Sequence, residues 1–281
     1  MRVLGQIFDL IGPIIISALS IFVAFIFLQP LACWLDPTFN LLANRGIGKI
    51  AFVFLVIYQI LLLLLLQKKT FLQQFLKTNL YFFSEKNWLK KFFAYFLIFF
   101  AFHVLILLFL LAPGFVKYNS NWGTLNISLV LRILWGFVVT FFLAWTEELI
   151  FRGTLYPFFA QKVSPLISLL TTSLIFMFVH DLRNPLNLIT KNWELGLGLF
   201  LLGILLNIIF ISTKKLYTNM GAHAGLVFVK IILRRAPLIT FLPVSLLPFW
   251  ISSDLRMAPF VHVLFFIAII ILTIKNRKKL F

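Results

Sequence analysis

The sequence predicts an all-α protein, a polytopic transmembrane helical bundle of about eight spans. Three observations carry this reading. The chain of 281 residues is 62% hydrophobic and only 12% charged, with 36 phenylalanines, an apolar excess beyond that of soluble domains. Apolar runs of bilayer-crossing length recur at about residues 12–30, 50–66, 92–112, 127–146, 164–180, 195–212, 217–233 and 257–274. The basic residues behind a net charge of +17 are gathered into particular connections. That pattern fits a membrane protein and gives no reason to expect a nucleic-acid partner.

Taken in order, the stretch MRVLGQIFDLIGPIIISAL has no small-residue cleavage signature and reads as an uncleaved first span. The lone Cys33 leaves no internal disulfide and no cysteine zinc site, and reads as a packing residue. Residues 67–91 carry Lys68, Lys69, Lys77, Lys86, Lys90 and Lys91 against Glu85. Phe71, Leu72, Phe75 and Leu76 recur there at helical spacing, as in a helix lying on an anionic leaflet; a solvated basic loop is the plainer alternative. Lys214 and Lys215 mark a later turn, and the tail carries Lys275, Arg277, Lys278 and Lys279. The positive-inside rule puts these three segments, and both termini, on the cytoplasmic side. A multi-pass protein of the plasma membrane is expected. Segment 236–252 is apolar but holds Pro237, Pro243 and Pro248, so it reads as re-entrant or interfacial, with a ninth span as the alternative. Three regions follow: spans with the basic loop over 1–126, a core over 127–233, and a last span with its tail over 234–281.

With only eight acidic residues in the chain, the stretch FFLAWTEELIFRG stands out. It sets Glu147 and Glu148 side by side at the end of an apolar run. No helix breaker intervenes, so the helix is expected to continue to about Phe158, with Pro157 able to bend it. Glu148 and Arg152 are four apart and share a face, so they can pair. Glu147 lies about 100° around the helix and can point elsewhere. The plainer reading is a helix end at the interface, neutralised by Arg152 and Lys162.

The following span alters that balance. Ser164 and Pro165 form the turn between two helices; Glu148 precedes Ser164 by sixteen residues and His180 follows it by sixteen. Both side chains then stand about 24 Å from the turn, at one height in an antiparallel hairpin. A third piece, NMGAHAGLVF, places His223 among small residues that permit close helix approach. His103 and His262 lack a polar constellation and read as interhelical hydrogen-bonders. A carboxylate pair with two histidines admits two chemistries. One is water activation by a glutamate, with the histidines steadying the oxyanion or protonating the leaving amine. The other is metal hydrolysis, with His180, His223 and Glu147 as ligands. The residues require no cofactor, and a divalent metal remains open.

These pieces resemble the CPBP family, the type II CAAX-prenyl proteases and the bacteriocin-processing or Abi proteins. The family's first motif is two glutamates, three residues and an arginine, matched by Glu147, Glu148 and Arg152. Its second is a phenylalanine, three residues and a histidine, matched by Phe176 and His180. Its third is a histidine with Asn or Asp four residues on; His223 matches, and the later position is Val227. The resemblance implies an intramembrane endopeptidase with a cavity open to the cytoplasm, acting on a peptide or lipidated protein. Glu147 would be the water-activating base, with Glu148 supporting it through Arg152. His180 and His223 would position water and stabilise the oxyanion. A direct glutamate mechanism is usually favoured in the family, although metal dependence has been argued. Val227 removes the contact that an amide or carboxylate there would supply. Asn219, one turn before His223, is the candidate replacement, or an ordinary helix-start residue. The competing readings are a non-catalytic immunity or peptide-binding protein of the same fold and, with no internal repeat to support it, a proton-coupled transporter.

Overall fold

A computed structural model of the chain describes residues 85–119, 127–181, 184–235 and 238–280, with Ile26, Gln29, Pro30 and Cys33. The chain divides into two compact units, Met1–Gln74 and Phe75–Phe281. In the first, the Gln29 amide donates to Cys33 Sγ at 3.0 Å across one helical turn. The rest of the spans expected at 12–30 and 50–66, and the basic stretch 67–84, lie outside the described residues.

The second unit is an all-α bundle. Its helices are α1 (Trp88–Leu111), α2 (Ile127–Ile150), α3 (Tyr156–Ala160), α4 (Pro165–Phe178), α5 (Asn187–Thr190), α6 (Trp193–Thr213), α7 (Leu216–Arg235), α8 (Pro259–Lys275) and α9 (Arg277–Leu280). Four stretches are long and apolar enough to cross a membrane: Trp88–Leu111, Leu129–Ala160, Trp193–Thr213 and Leu216–Leu233. The helical stretches Pro165–Asp181 and Pro259–Lys275 are apolar but shorter. These six helical stretches fall where six of the expected spans lie on described residues, and four of them have the length to cross a membrane.

Segment 238–257 forms no helical ninth span. A short strand β1 (Val116–Tyr118) pairs antiparallel with β2 (Ile239–Phe241), Val116 opposite Phe241, and 3-10 turns follow at Val244–Leu246 and Leu255–Met257. Pro243 and Pro248 lack the amide hydrogens that a continuous helix would need there.

α6 is the centre of the bundle: 78% of its span is buried, against 28% for the α1 and α2 spans. A helix apolar all round is one that neighbours surround. α7 lies tight against α1 through Gly221 and Gly225, spaced four apart. A Cβ on either would collide with the backbone of Phe92 or Phe96, so only glycine lets these backbones meet. Phe96 then packs on Phe137 of α2 and Phe228 of α7, each at 5.5 Å between ring centroids. This wedge holds α7, with His223, against the glutamate helix.

Candidate active site

The site begins with α2 failing to stop where its apolar run ends. The helix continues through Glu147 and Glu148 into a π turn, Phe151–Leu155, and on through α3 to Ala160. Pro157 cannot donate back to the Gly153 carbonyl, and the chain widens over this turn instead of breaking. Such π turns recur at functional sites. Ser164 then caps α4, its hydroxyl accepting from Ile167 N at 3.3 Å, with Pro165 in the first turn. The hairpin brings His180, in the 3-10 turn after α4, level with the glutamates: His180 Nε2 lies 4.0 Å from Glu147 Oε2.

Glu148 has no exposed side-chain surface. Its Oε1 receives Arg152 Nη1 at 3.1 Å and contacts His223 Nδ1 at 2.8 Å. Its Oε2 receives Asn219 Nδ2 at 3.1 Å. Facing Arg152 as an ionised carboxylate, Glu148 only accepts, so His223 Nδ1 carries its hydrogen. The guanidinium is equally enclosed. Its Nε donates to Asn207 Oδ1 at 3.2 Å and its Nη2 to the Gly203 carbonyl at 2.9 Å. Its Cζ lies 5.0 Å from the Phe176 ring centroid, a cation–π contact.

Glu147 points to the other side, as the 100° offset requires. Its Oε2 is buried with no hydrogen-bond partner among the described residues. It faces His223 Nε2 at 3.7 Å and His180 Nε2 at 4.0 Å. His180 Nδ1 sits 2.7 Å from the Phe176 carbonyl, which can only accept, so this nitrogen also carries its hydrogen. In the neutral rings both Nε2 atoms are therefore acceptors. Three acceptors converging on one small volume leave a place for a proton donor, such as a water.

The structure thus brings Glu147, Glu148, Arg152, His180 and His223 together. Phe176 fits between them, its ring 4.7 Å from that of His180 and 6.1 Å from that of His223. Sequence reasoning missed Asn207, which lies on α6. Its Nδ2 is within hydrogen-bonding distance of Thr172 Oγ1 and Ser173 Oγ, each at 3.0 Å, and of the Leu169 carbonyl at 3.2 Å. Gly203 permits this closeness, since a Cβ there would press on Ser173. The available signal was an amide alone in the run LLNIIF, because a polar side chain among spans must find a partner. Asn219 takes a different part from the one expected. Its Nδ2 hydrogens go to Glu148 and to the Leu206 carbonyl, at 3.1 and 2.6 Å, so neither is left for an oxyanion. His103 and His262 bond the Leu226 and Arg256 carbonyls at 2.8 and 2.7 Å, as interhelical or local hydrogen-bonders.

Among the described residues no group of three or more His, Cys, Asp or Glu side chains is placed to hold a metal ion. The acceptors around Glu147 Oε2 stand 3.7 and 4.0 Å from it, with both Nδ1 atoms engaged elsewhere.

A comparison with protein families matches residues 127–229 to the type II CAAX prenyl endopeptidase Rce1-like family. No curated protein and no solved structure gives a significant match. The matched segment contains all five converging residues, Phe176, Asn207, Asn219 and the Val227 position. The match over residues 127–229 thus supports the resemblance of this core to the intramembrane CAAX-type endopeptidases that its motifs suggest.

Proposed function

We propose that this chain is an intramembrane endopeptidase in which Glu147 activates a water held between its carboxylate and the imidazoles of His180 and His223. The observation that carries the reading is Glu147 Oε2, buried without a hydrogen-bond partner among the described residues and facing both Nε2 atoms. Glu147 takes a proton from the water as its oxygen adds to the scissile carbonyl, and later passes that proton to the leaving amine. His223 is suited to steady the oxyanion. A proton on its Nε2 is offset by Glu148 on its Nδ1, the arrangement in which a carboxylate backs an imidazole in other hydrolases. The Phe176 carbonyl orients His180 for the same water. Arg152 and Asn219 act through Glu148 and are positioning groups.

The substrate is then a peptide or lipidated protein cut within the membrane. Measured from the α6–α7 turn with its lysines, His223 lies about 10 Å in by the helical rise. This fits cleavage near the cytoplasmic face of a plasma membrane, with both termini on that side. A second reading, a non-catalytic peptide-binding or immunity protein of the same fold, draws on Val227 and on Asn219 having no free donor. The test is the profile of membrane peptides from cells carrying wild type, Glu147→Ala or His180→Ala at matched expression. Peptides present with wild type and absent with both variants support proteolysis. Identical profiles with an intact cellular phenotype support the binder.

A further inference from the structure

Four segments meet at one end of the bundle: residues 85–91, 161–164, 212–215 and 275–280. They carry ten basic residues and one acid, Glu85. At the opposite end the described residues 112–119, 184–194, 230–235 and 238–258, with Asp181, carry six basic residues and three acids. Glu85 is already committed, because its carboxylate pairs with Lys215 Nζ at 2.5 Å and accepts from the Tyr217 hydroxyl at 3.0 Å. Lys214 and Lys279 have no carboxylate partner among the described residues.

These two lysines are held next to one another. Ser212 Oγ donates to Asn276 Oδ1 at 2.7 Å, and Lys279 Nζ donates to the Ser212 carbonyl at 2.9 Å. The tail helix α9 is thereby fastened beside the turn that presents Lys214. Lys214 sits in the left-handed region at φ 55°, a conformation that glycine or asparagine more often supplies after a helix. Burial, and then the Lys279 ammonium, depress the Lys214 pKa, as expected for two cations awaiting an anion. Leading away from this pair along α8 is an exposed aliphatic stripe of Ile267, Ile270, Ile271 and Ile274, which ends beside Lys275. A compact anion above and hydrocarbon below is the shape of a phospholipid.

We infer that Lys214 and Lys279 bind the phosphate of an anionic phospholipid headgroup, whose acyl chains lie along the exposed face of α8. The site fastens the tail to the α6–α7 turn at the leaflet that the charge asymmetry selects. It does not depend on the proteolytic reading.

The test uses the purified full chain in nanodiscs of phosphatidylcholine with and without phosphatidylglycerol, reading lipid retained after detergent release by native mass spectrometry. Wild type is expected to retain phosphatidylglycerol selectively. Lys214→Gln with Lys279→Gln should lose at least about tenfold of that selectivity, while the paired arginine substitutions keep it. Lys214→Gln alone, at an exposed side chain, should lose part of it without a change in melting temperature in phosphatidylcholine. Lys86→Gln with Lys90→Gln removes the same charge from the same end and should leave retention unchanged. An equal loss in that control would overturn the proposal in favour of a diffuse field. Equal retention of phosphatidylcholine by wild type would overturn it, and so would inorganic phosphate raising the melting temperature in detergent as far as phosphatidylglycerol does.

Discussion

Replacing Arg152 by methionine tests the centre of the site. The substitution keeps a long unbranched side chain, so the packing loss is small. What it removes is electrostatic. Three hydrogen bonds disappear, to Glu148 Oε1, Asn207 Oδ1 and the Gly203 carbonyl, and the Glu148 carboxylate remains without exposed surface. Breaking a buried ion pair from one side costs about 3–5 kcal/mol, set against a total stability on the order of 5–15 kcal/mol for a native domain. Thermal unfolding in detergent should therefore show a large fall in melting temperature. Adding Glu148→Gln removes the stranded charge while keeping the side chain's size and hydrogen-bonding capacity. The double variant should recover most of the loss, since replacing both members of a buried pair is often close to neutral. Arg152→Lys should fall between, because one ammonium cannot span Glu148, Asn207 and Gly203 as the planar fork does. If Arg152→Met melts with wild type, or the double variant melts as low as the single, the pair does not carry the energy assigned to it. Activity cannot rescue the argument in that case, since the double variant also lacks the carboxylate behind His223.

Four further outcomes are expected. Glu147→Gln should lower peptide release by about 10²–10⁴-fold, the usual scale of a general base, with the melting temperature retained; activity near that of wild type would remove Glu147 from the chemistry. Val227→Asn should raise turnover if that position offers an oxyanion donor, by up to about 10²–10³-fold, and an unchanged rate would show that α7 does not direct it to the site. Release of membrane peptides should persist after treatment of purified protein with a chelator, and loss reversed by added zinc would contradict a metal-free reaction. Asp254 provides the pH test. Burial alone would raise its carboxyl, but bonds and charge from Arg256, then from Lys230, hold it well below the usual carboxylate range. A depressed carboxylate contributes stability that is fully present above its unfolded pKa, about 3.9, and is lost as pH falls through the folded value. Wild type should therefore exceed Asp254→Asn in melting temperature by a constant margin from pH 7 to about 5, shrinking below about 4; a margin that persists in acid would assign the effect to something other than this charge.

By itself the sequence determined the membrane class, the positions of the six long apolar helices on described residues, and five residues worth placing together. Each of these rests on local or periodic information. Apolar runs report span length, a four-residue offset reports the face shared by Glu148 and Arg152, and equal counts about Ser164 set Glu148 and His180 at one height. The role of Asn207 was settled elsewhere. Nothing local to LLNIIF tells which helix will meet that amide, and only the close approach at Gly203 brings Ser173 and Arg152 to it. Asn219 shows the same limit, since its helical face was legible but both amide hydrogens are committed by Glu148 and the Leu206 carbonyl across the packed helices. The short ribbon of β1 and β2 likewise pairs segments more than a hundred residues apart, a contact that no periodicity announces. A hydrogen bond depends on a few tenths of an ångström and on what its partner already binds. Those distances are set only when helices distant in sequence pack.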